Sequence, residues 1–344
     1  MNSFKLFIGA DEAGYGPNLG PLTVAATAWL IPADLTENAL LERLQARFRP
    51  RPLKKDLQHI PLGDSKQLYT PSGGLQSLEA GLLALLRNAA SPDWSSDGAS
   101  LGDFLRQLGS FPRIDEAHGQ SKDNQPDSLF LAPWYSQLQE CGLPQYNPLD
   151  QIGDLTELCQ AWLTEADVQV YSARAAIVSE PEFNEAVQRL GSKGLLLSLR
   201  TLKLVADLLQ EVRAQHPNVH CEIYCDRQGG RKNYLPILAE TFPDIWFQPL
   251  SITNERCSYQ NQEHSIDLHF SVKGDRFPPT GLASMLAKYL RERVMEQFNT
   301  FWAAEVPNIA PTAGYPQDAK RFRSQIQSRA DSLGLSEELW WRCK

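Results

Sequence analysis

Short apolar runs rich in β-branched residues alternate along the chain with stretches of helical periodicity. The apolar runs KLFIGA (5–10), LTVAATAWLI (22–31), VQVYSARAAIV (168–178) and VHCEIYCD (219–226) predict strands, and two more strands are predicted over 244–252 and 266–275. Apolar residues spaced three and four apart predict helices over 35–48, after the GDSKQLYTPSGG segment, and over 194–212, 281–302 and 319–333. Strands interspersed with helices predict an α/β fold with a mixed sheet flanked by helices.

Residues 88–166 differ from the rest of the chain. Serine, aspartate, glycine and proline cluster up to about residue 127, and helical spacing returns only in LTELCQAWL at 155–163. We therefore predict a catalytic domain over 1–300 that is interrupted by an acidic insertion at about 88–166 and followed by a C-terminal helical extension over 301–344. The insertion is a possible docking site for a protein partner.

Charge and composition restrict the possible classes of function. The formal net charge is −8, which alone argues against a nucleic-acid binder. Residues 88–168 carry a local net charge of −10, so the remainder carries about +2 and could face phosphates. The six cysteines form no CxxC pair and are expected to be reduced thiols. Neither a signal peptide nor a membrane-spanning run is visible, so we expect a cytoplasmic, membrane-independent protein.

Acidic residues occupy the ends of three predicted strands. Asp11 and Glu12 lie in GADEAGYGPNLGPL (9–22), Asp226 ends the strand at 219–226, and Asp275 ends the strand at 266–275. Oxygen ligands suit Mg²⁺ or Mn²⁺, and two such ions can assist phosphoryl transfer. Acidic residues also follow strands in ordinary turns, so position alone does not decide between a turn and a metal site.

The sequence motifs around these carboxylates resemble those of a known family. DEAGYGPNLGP, GDSKQL, IYCD, VKGDRFPPTGLASMLAKYLRER and TAGYP occur in the order and style of the ribonuclease HII family, the prokaryotic type 2 ribonucleases H. The resemblance spans most of the chain outside 88–166. It implies a ribonuclease-H-like fold with a C-terminal helical extension. It also implies an endonuclease that cuts RNA in RNA–DNA hybrids, or ribonucleotides embedded in duplex DNA, leaving 5′-phosphate and 3′-hydroxyl ends.

The same resemblance assigns roles to individual residues. It implies that Asp11, Glu12, Asp226 and Asp275 are catalytic and bind two Mg²⁺ or Mn²⁺ ions. It implies that the substrate is bound by Gly14, Tyr15, Gly16, Ser65, Lys66, Ser284, Lys288 and Tyr315. Helix capping and surface charge are the alternative explanation for the serines and lysines, and Tyr315 could instead be a core residue.

One position departs from the family pattern. Tyr15 stands where the family has the arginine of a Gly-Arg-Gly loop, so this loop lacks a positive charge that supports phosphate binding. A related metal nuclease with another duplex substrate, such as branched DNA or RNA–RNA, is therefore a competing hypothesis. A non-catalytic nucleic-acid-binding homologue is a second one, although all four carboxylates are present. We expect a monomer.

Overall fold

The structure is a computed structural model that describes residues 4–53, 58–69, 73–90, 100–109, 132–228, 230–272 and 274–343, with the side chain of residue 275 outside the description. Its centre is a seven-stranded sheet. The strands are β1 Phe4–Ala13, β2 Leu22–Pro32, β5 Gln169–Val178, β6 Cys221–Asp226, β7 Gln248–Ile252, β8 Arg256–Asn261 and β9 Ile266–Ser271; β3 Phe48–Arg49 and β4 Ile60–Pro61 form a separate small pair.

The sheet has the order β5-β2-β1-β6-β9-β8-β7. The three central strands β1, β6 and β9 run parallel to one another, whereas β2, β5, β8 and β7 add antiparallel pairs at the two sides. The sheet is therefore mixed, and its three parallel central strands end at one common edge. This edge is where an open α/β sheet gathers functional groups.

Helices cover both faces of the sheet. They are α1 Glu37–Leu44, α2 Ser65–Leu68, α3 Gln76–Leu86, α4 Leu101–Gln107, α5 Leu149–Glu165, α6 Glu180–Leu190, α7 Lys193–Gln215, α8 Leu235–Thr241, α9 Pro278–Glu305 and α10 Pro316–Ser332. One core lies between the sheet and α3, α5, α9 and α10, and the other lies between the sheet and α6, α7 and α8. The predicted α/β class, with a mixed sheet flanked by helices and a helical C-terminal region, is confirmed.

The long helix α9 crosses closely over the middle of β1. A Cβ atom built on Gly9 would lie 2.1 Å from the backbone nitrogen of Thr280, so only glycine permits this approach. The side chain of Thr27 on β2 donates a hydrogen bond of 2.8 Å to the carbonyl of Pro279. The start of α9 is thereby fixed against the central strands, close to the edge where they end.

Most predicted elements are present, but the short strands β3 and β4 and the helices α2, α4, α6 and α8 were not predicted, and three further elements differ. The helix predicted over 35–48 is shorter, because Phe48 belongs to β3. Strand β8 was missed, since its polar residues hide the alternation that pairs it with β9 in a hairpin. The strand predicted to reach Asp275 ends at Ser271, and Asp275 lies in a short 3₁₀ helix, Gly274–Arg276.

The described part of the 88–166 segment is packed into the main core. Trp134 is 2% exposed, and its ring lies 5.5–5.9 Å from those of Phe298, Phe301 and Trp302 on α9. The buried carboxylate of Glu79 on α3 accepts hydrogen bonds from the backbone amides of residues 145, 146 and 147. The helix predicted near its end is confirmed as α5, while the division into domain, insertion and extension stays a prediction.

Candidate active site

Two neighbouring parallel strands bring three of the predicted carboxylates together. Strands β1 and β6 pair in parallel up to Ala10 and Cys225, and the next residues are Asp11 and Asp226. Glu12 follows on β1, so that Asp11 and Glu12 lie within the strand itself rather than in the turn after it. Their placement follows from the strand register, because the parallel pairing of β1 with β6 brings Asp11 beside Asp226 at the point where β6 ends.

The three carboxylates repel one another in a partly desolvated environment. Burial raises the pKa of Asp11 well above its usual range, and the charges of Glu12 and Asp226 raise it further. Burial and the charge of Asp226 raise the pKa of Glu12 to about 7, whereas the nearby Lys66 opposes that shift. Burial also raises the pKa of Asp226. Like charges held this close favour either protons or a cation between them.

The backbone of Asp275 lies beside this cluster. The amide of Gly274 donates a hydrogen bond of 3.1 Å to Oδ1 of Asp226, which ties the 3₁₀ turn to the end of β6. The side chain of Asp275 lies outside the described residues, so its role as the fourth carboxylate stays a prediction. Among the residues that the structure does describe, no group of three or more His, Cys, Asp and Glu side chains is arranged to hold a metal ion by itself.

The glycine-rich loop follows the carboxylates directly. Gly14 has a φ of +84°, and a Cβ built there would lie 2.4 Å from Nε of Arg291 and 2.5 Å from the carbonyl of Pro21. Gly16 is exposed, and a Cβ built on it would meet nothing within 4 Å. Packing therefore explains why residue 14 is glycine. It does not explain the glycine at 16, where the missing side chain leaves open space in the loop that follows the carboxylates.

Three buried charged residues from distant parts of the chain hold this loop. Arg342 donates hydrogen bonds to the carbonyls of Gly14 and Tyr15, at 2.6 and 3.2 Å. The carboxylate of Glu180, at the start of α6, accepts a hydrogen bond of 3.2 Å from the amide of Gly20. Arg291 on α9 donates a hydrogen bond of 3.5 Å to the carbonyl of Leu19 in the loop and one of 2.9 Å to the carbonyl of residue 313.

Sequence patterns predict no functional role for Arg342, Glu180 or Arg291. Nothing local marks them, because their partners lie far away along the chain. A burial pattern could have hinted at Arg342 alone, since it sits beside two tryptophans near the end of the sequence.

Two predicted residues, Ser65 and Ser284, meet each other beside the cluster. Their hydroxyl groups share a buried hydrogen bond of 3.1 Å, and a hydrogen bond from Ser284 lowers the pKa of Asp11. Asp64 caps the short helix α2 by accepting a hydrogen bond from the amide of Lys66. Helix α9 begins at Pro278, so Ser284 lies in its second turn, and its role in substrate binding stays a prediction.

The last two predicted residues have different surroundings. Lys288 pairs with Glu292 at 2.6 Å, and its ammonium lies 4.4 Å from the centroid of the Tyr69 ring, so a phosphate would have to compete with that carboxylate. Tyr315 is 52% exposed and is therefore not a core residue. Its ring lies 6.0 Å from the guanidinium of Arg291, which places it near the glycine-rich loop.

The chain matches no family model and no curated protein. Solved structures that align with it over nearly its whole length are ribonucleases H. The structure of the PCNA:RNase HII complex from Archaeoglobus fulgidus is 13% identical, over 98% of this chain and 94% of that one, with a TM-score of 0.38. The ribonuclease H2 from Pyrococcus horikoshii is 14% identical over 97% and 92%, with a TM-score of 0.42. Bst-RNase HIII in complex with Mn²⁺ is 14% identical over 98% and 66%, with a TM-score of 0.43.

Similarity at this level does not distinguish ribonuclease HII from ribonuclease HIII. It also does not establish the activity of this chain, which has to be inferred from the residues of the site.

Within the described part of the chain, no helix combines the length and apolar character that crossing a membrane requires.

Proposed function

We propose that the protein is a divalent-metal-dependent endonuclease of the ribonuclease H type. Its substrates would be RNA–DNA hybrids or duplex DNA that contains ribonucleotides. The observation that carries this proposal is the convergence of Asp11, Glu12 and Asp226 at the end of two parallel strands, directly beside a glycine-rich loop with open space at Gly16. Sequence motifs that resemble those of the ribonuclease HII family, and that occur in the same order, support the same activity.

The donor set fits Mg²⁺ or Mn²⁺. Asp11, Glu12 and Asp226 supply only oxygen ligands. Burial raises the pKa of all three, and neighbouring carboxylate charges raise the pKa of Asp11 and Glu12 further, so a divalent cation would neutralise charge that the site otherwise holds at a cost. With the carboxylate of Asp275, these residues would hold two ions. When bound, the ions would supply an activated water and stabilise charge on the departing 3′ oxygen.

The other residues of the site would bind and orient the substrate. Ser284 orients the carboxylate of Asp11 through its hydrogen bond, and Lys66 adds positive charge beside Glu12 and Asp226. The open space at Gly16 would let a sugar–phosphate backbone approach the loop closely. The exposed ring of Tyr315 would pack on a sugar near the cut. Cleavage would leave 5′-phosphate and 3′-hydroxyl ends.

The test is cleavage of four labelled duplexes by purified protein, each with Mg²⁺ and with Mn²⁺. The duplexes are RNA–DNA hybrid, DNA containing a single ribonucleotide, RNA–RNA and DNA–DNA. We expect the first two to be cut. Cleavage of RNA–RNA or DNA–DNA alone would favour a related nuclease with another duplex substrate, and binding without cleavage of any duplex would favour a non-catalytic homologue.

Asp226→Asn should lower the cleavage rate by at least about 100-fold, the scale of losing one major electrostatic stabiliser. Asp267→Asn is the matched control, because Asp267 lies on the adjacent strand β9 and pairs with His220 outside the cluster. Equal rates for wild type and Asp226→Asn would remove Asp226 from the site.

A further inference from the structure

Side chains from three separate segments meet beside the carboxylate cluster. Tyr15 belongs to the glycine-rich loop, Lys193 is the first residue of α7, and Arg231 lies in the loop after β6. The ammonium of Lys193 lies 4.9 Å from the centroid of the Tyr15 ring. A Cβ built on Gly194 would lie 3.4 Å from the Tyr15 hydroxyl and 3.9 Å from Nη2 of Arg231, so both groups converge on the start of α7.

This meeting point adjoins the carboxylates. The pKa of the Tyr15 phenol is raised by burial and by the charge of Glu12, and it is lowered by the charges of Arg231 and Arg342. The Tyr15 phenol is therefore subject to the negative charge of the carboxylate cluster and to the positive charge of nearby cations. Arg342 is committed to the loop carbonyls. Of the described cations that act on Tyr15, Lys193 and Arg231 are thus available to an external partner.

Neither Lys193 nor Arg231 forms an ion pair with a carboxylate of the residues that the structure describes. Two other cations on α7 do: Arg200 pairs with Glu182 and Lys203 pairs with Asp207, at 2.6 and 2.5 Å. Both Lys193 and Arg231 are only partly exposed. Partly desolvated cations without a counter-charge favour an anionic ligand.

We propose that Lys193 and Arg231, with the Tyr15 hydroxyl between them, bind one backbone phosphate of the nucleic-acid strand that enters the site. The inference rests on the proposed function, since it assumes a nucleic-acid substrate. A guanidinium offers a planar fork to phosphate oxygens, an ammonium adds a point charge, and a phenol adds a hydrogen-bond donor. The positive charge that the loop lacks at Tyr15 is thus supplied by two residues from other segments.

The test measures binding of a short fluorescent RNA–DNA hybrid by anisotropy, without divalent metal, over a series of salt concentrations. The full-length protein is compared with Lys193→Gln, Arg231→Gln and the double variant. Lys203→Gln, on the same helix but paired with Asp207, and Lys232→Gln, exposed beside Arg231, are the matched controls. Melting temperatures check that each variant is folded.

We expect each single change to weaken binding roughly 3- to 10-fold at low salt, which corresponds to part of one charged hydrogen bond. Because both cations hold the same phosphate, the double variant should lose only about 0.9 from the slope of log K against log salt. The two controls should keep the slope and the Kd of the wild type. A loss near 1.8 in the double variant would mean two separate phosphates and would overturn the shared subsite.

Adding Tyr15→Arg to the double variant provides a second measurement. It places a guanidinium at the same point, so the lost slope should return. The phosphate subsite is disproved, and the proposed function stands, if the wild type binds and cleaves the hybrid while the double variant keeps the wild-type slope and Kd. If the wild type binds none of the four duplexes, the proposed function fails, and the phosphate subsite fails with it.

Discussion

Nη1 of Arg342 donates a hydrogen bond of 2.6 Å to the carbonyl of Gly14, across 328 residues of sequence. Arg342 is only 1% exposed, and its guanidinium lies 3.8 Å from the centroid of the Phe183 ring. Burial lowers its pKa to about 10, so it remains protonated at neutral pH. The end of the described chain therefore fixes the backbone of the loop that lies beside the carboxylates.

Replacing Arg342 with methionine should destabilise the protein and weaken substrate binding. The carbonyls of Gly14 and Tyr15 would lose their buried donor, which costs about 1–3 kcal/mol per unsatisfied group. The free energy of unfolding from urea titrations and the Kd for an RNA–DNA hybrid measure the two effects. Arg323→Met is the control, because Arg323 forms an exposed pair with Glu337 that contributes at most about 1 kcal/mol. Equal losses in both variants would contradict the role of Arg342.

The two loop glycines should respond oppositely to alanine. Gly14→Ala forces a Cβ against Arg291 and Pro21 at a positive φ, so we expect a loss of about 1–3 kcal/mol in the free energy of unfolding. Gly16→Ala adds a methyl group to open space, so the stability should stay within about 0.5 kcal/mol of wild type. Its affinity for the hybrid should nevertheless fall, because the methyl group would occupy the space for the substrate backbone. Unchanged affinity in Gly16→Ala would place the substrate elsewhere.

Stability without metal should fall as the pH rises, and Mg²⁺ should reverse the trend. The pKa of Glu12 is raised from 4.5 in the unfolded chain to about 7 in the folded protein by burial and by Asp226. The folded state therefore binds this proton more tightly, and its contribution to stability is lost between about pH 5 and pH 8. Mg²⁺ needs the deprotonated carboxylate, so it should raise the melting temperature more at pH 8 than at pH 6.

Thermal melts at both pH values, with EDTA and with Mg²⁺, provide the measurement. Asp226→Asn is the informative variant, because it removes a charge that raises the pKa of Glu12 and should make the metal-free protein more stable at pH 8. A Mg²⁺ effect that is equal at the two pH values in the wild type would exclude Glu12 as a ligand.

Trp134→Ala should cost about 3–5 kcal/mol in the free energy of unfolding, the range for removing a large buried aromatic residue. Trp134 packs against Phe298 and Trp302 even though it lies within the segment that the sequence marks as an insertion. Trp246→Ala is the matched control, since Trp246 is 79% exposed and should cost less than about 0.5 kcal/mol. A small loss in Trp134→Ala would show instead that the segment is separable from the core.

The sequence by itself predicted six of the seven strands of the main sheet, the helices α1, α3, α5, α7, α9 and α10, and three carboxylates that the structure brings together. Asp11, Glu12 and Asp226 could be found because each lies at the end of an apolar run, and strand ends are local features. The α/β class followed in the same way, since alternation and helical spacing depend on neighbours in sequence. Strand β8 was missed because its polar residues obscure the alternation.

Only the tertiary structure decided which distant residues surround the site. Arg342 reaches Gly14, Lys193 reaches Tyr15, and Trp134 joins the core beside α9 through contacts between residues that are far apart in the chain. Such contacts depend on how whole elements pack against each other. A buried charge is stabilised by the carbonyls and rings around it, and these groups cannot be predicted from the neighbouring sequence when they lie far away in the chain.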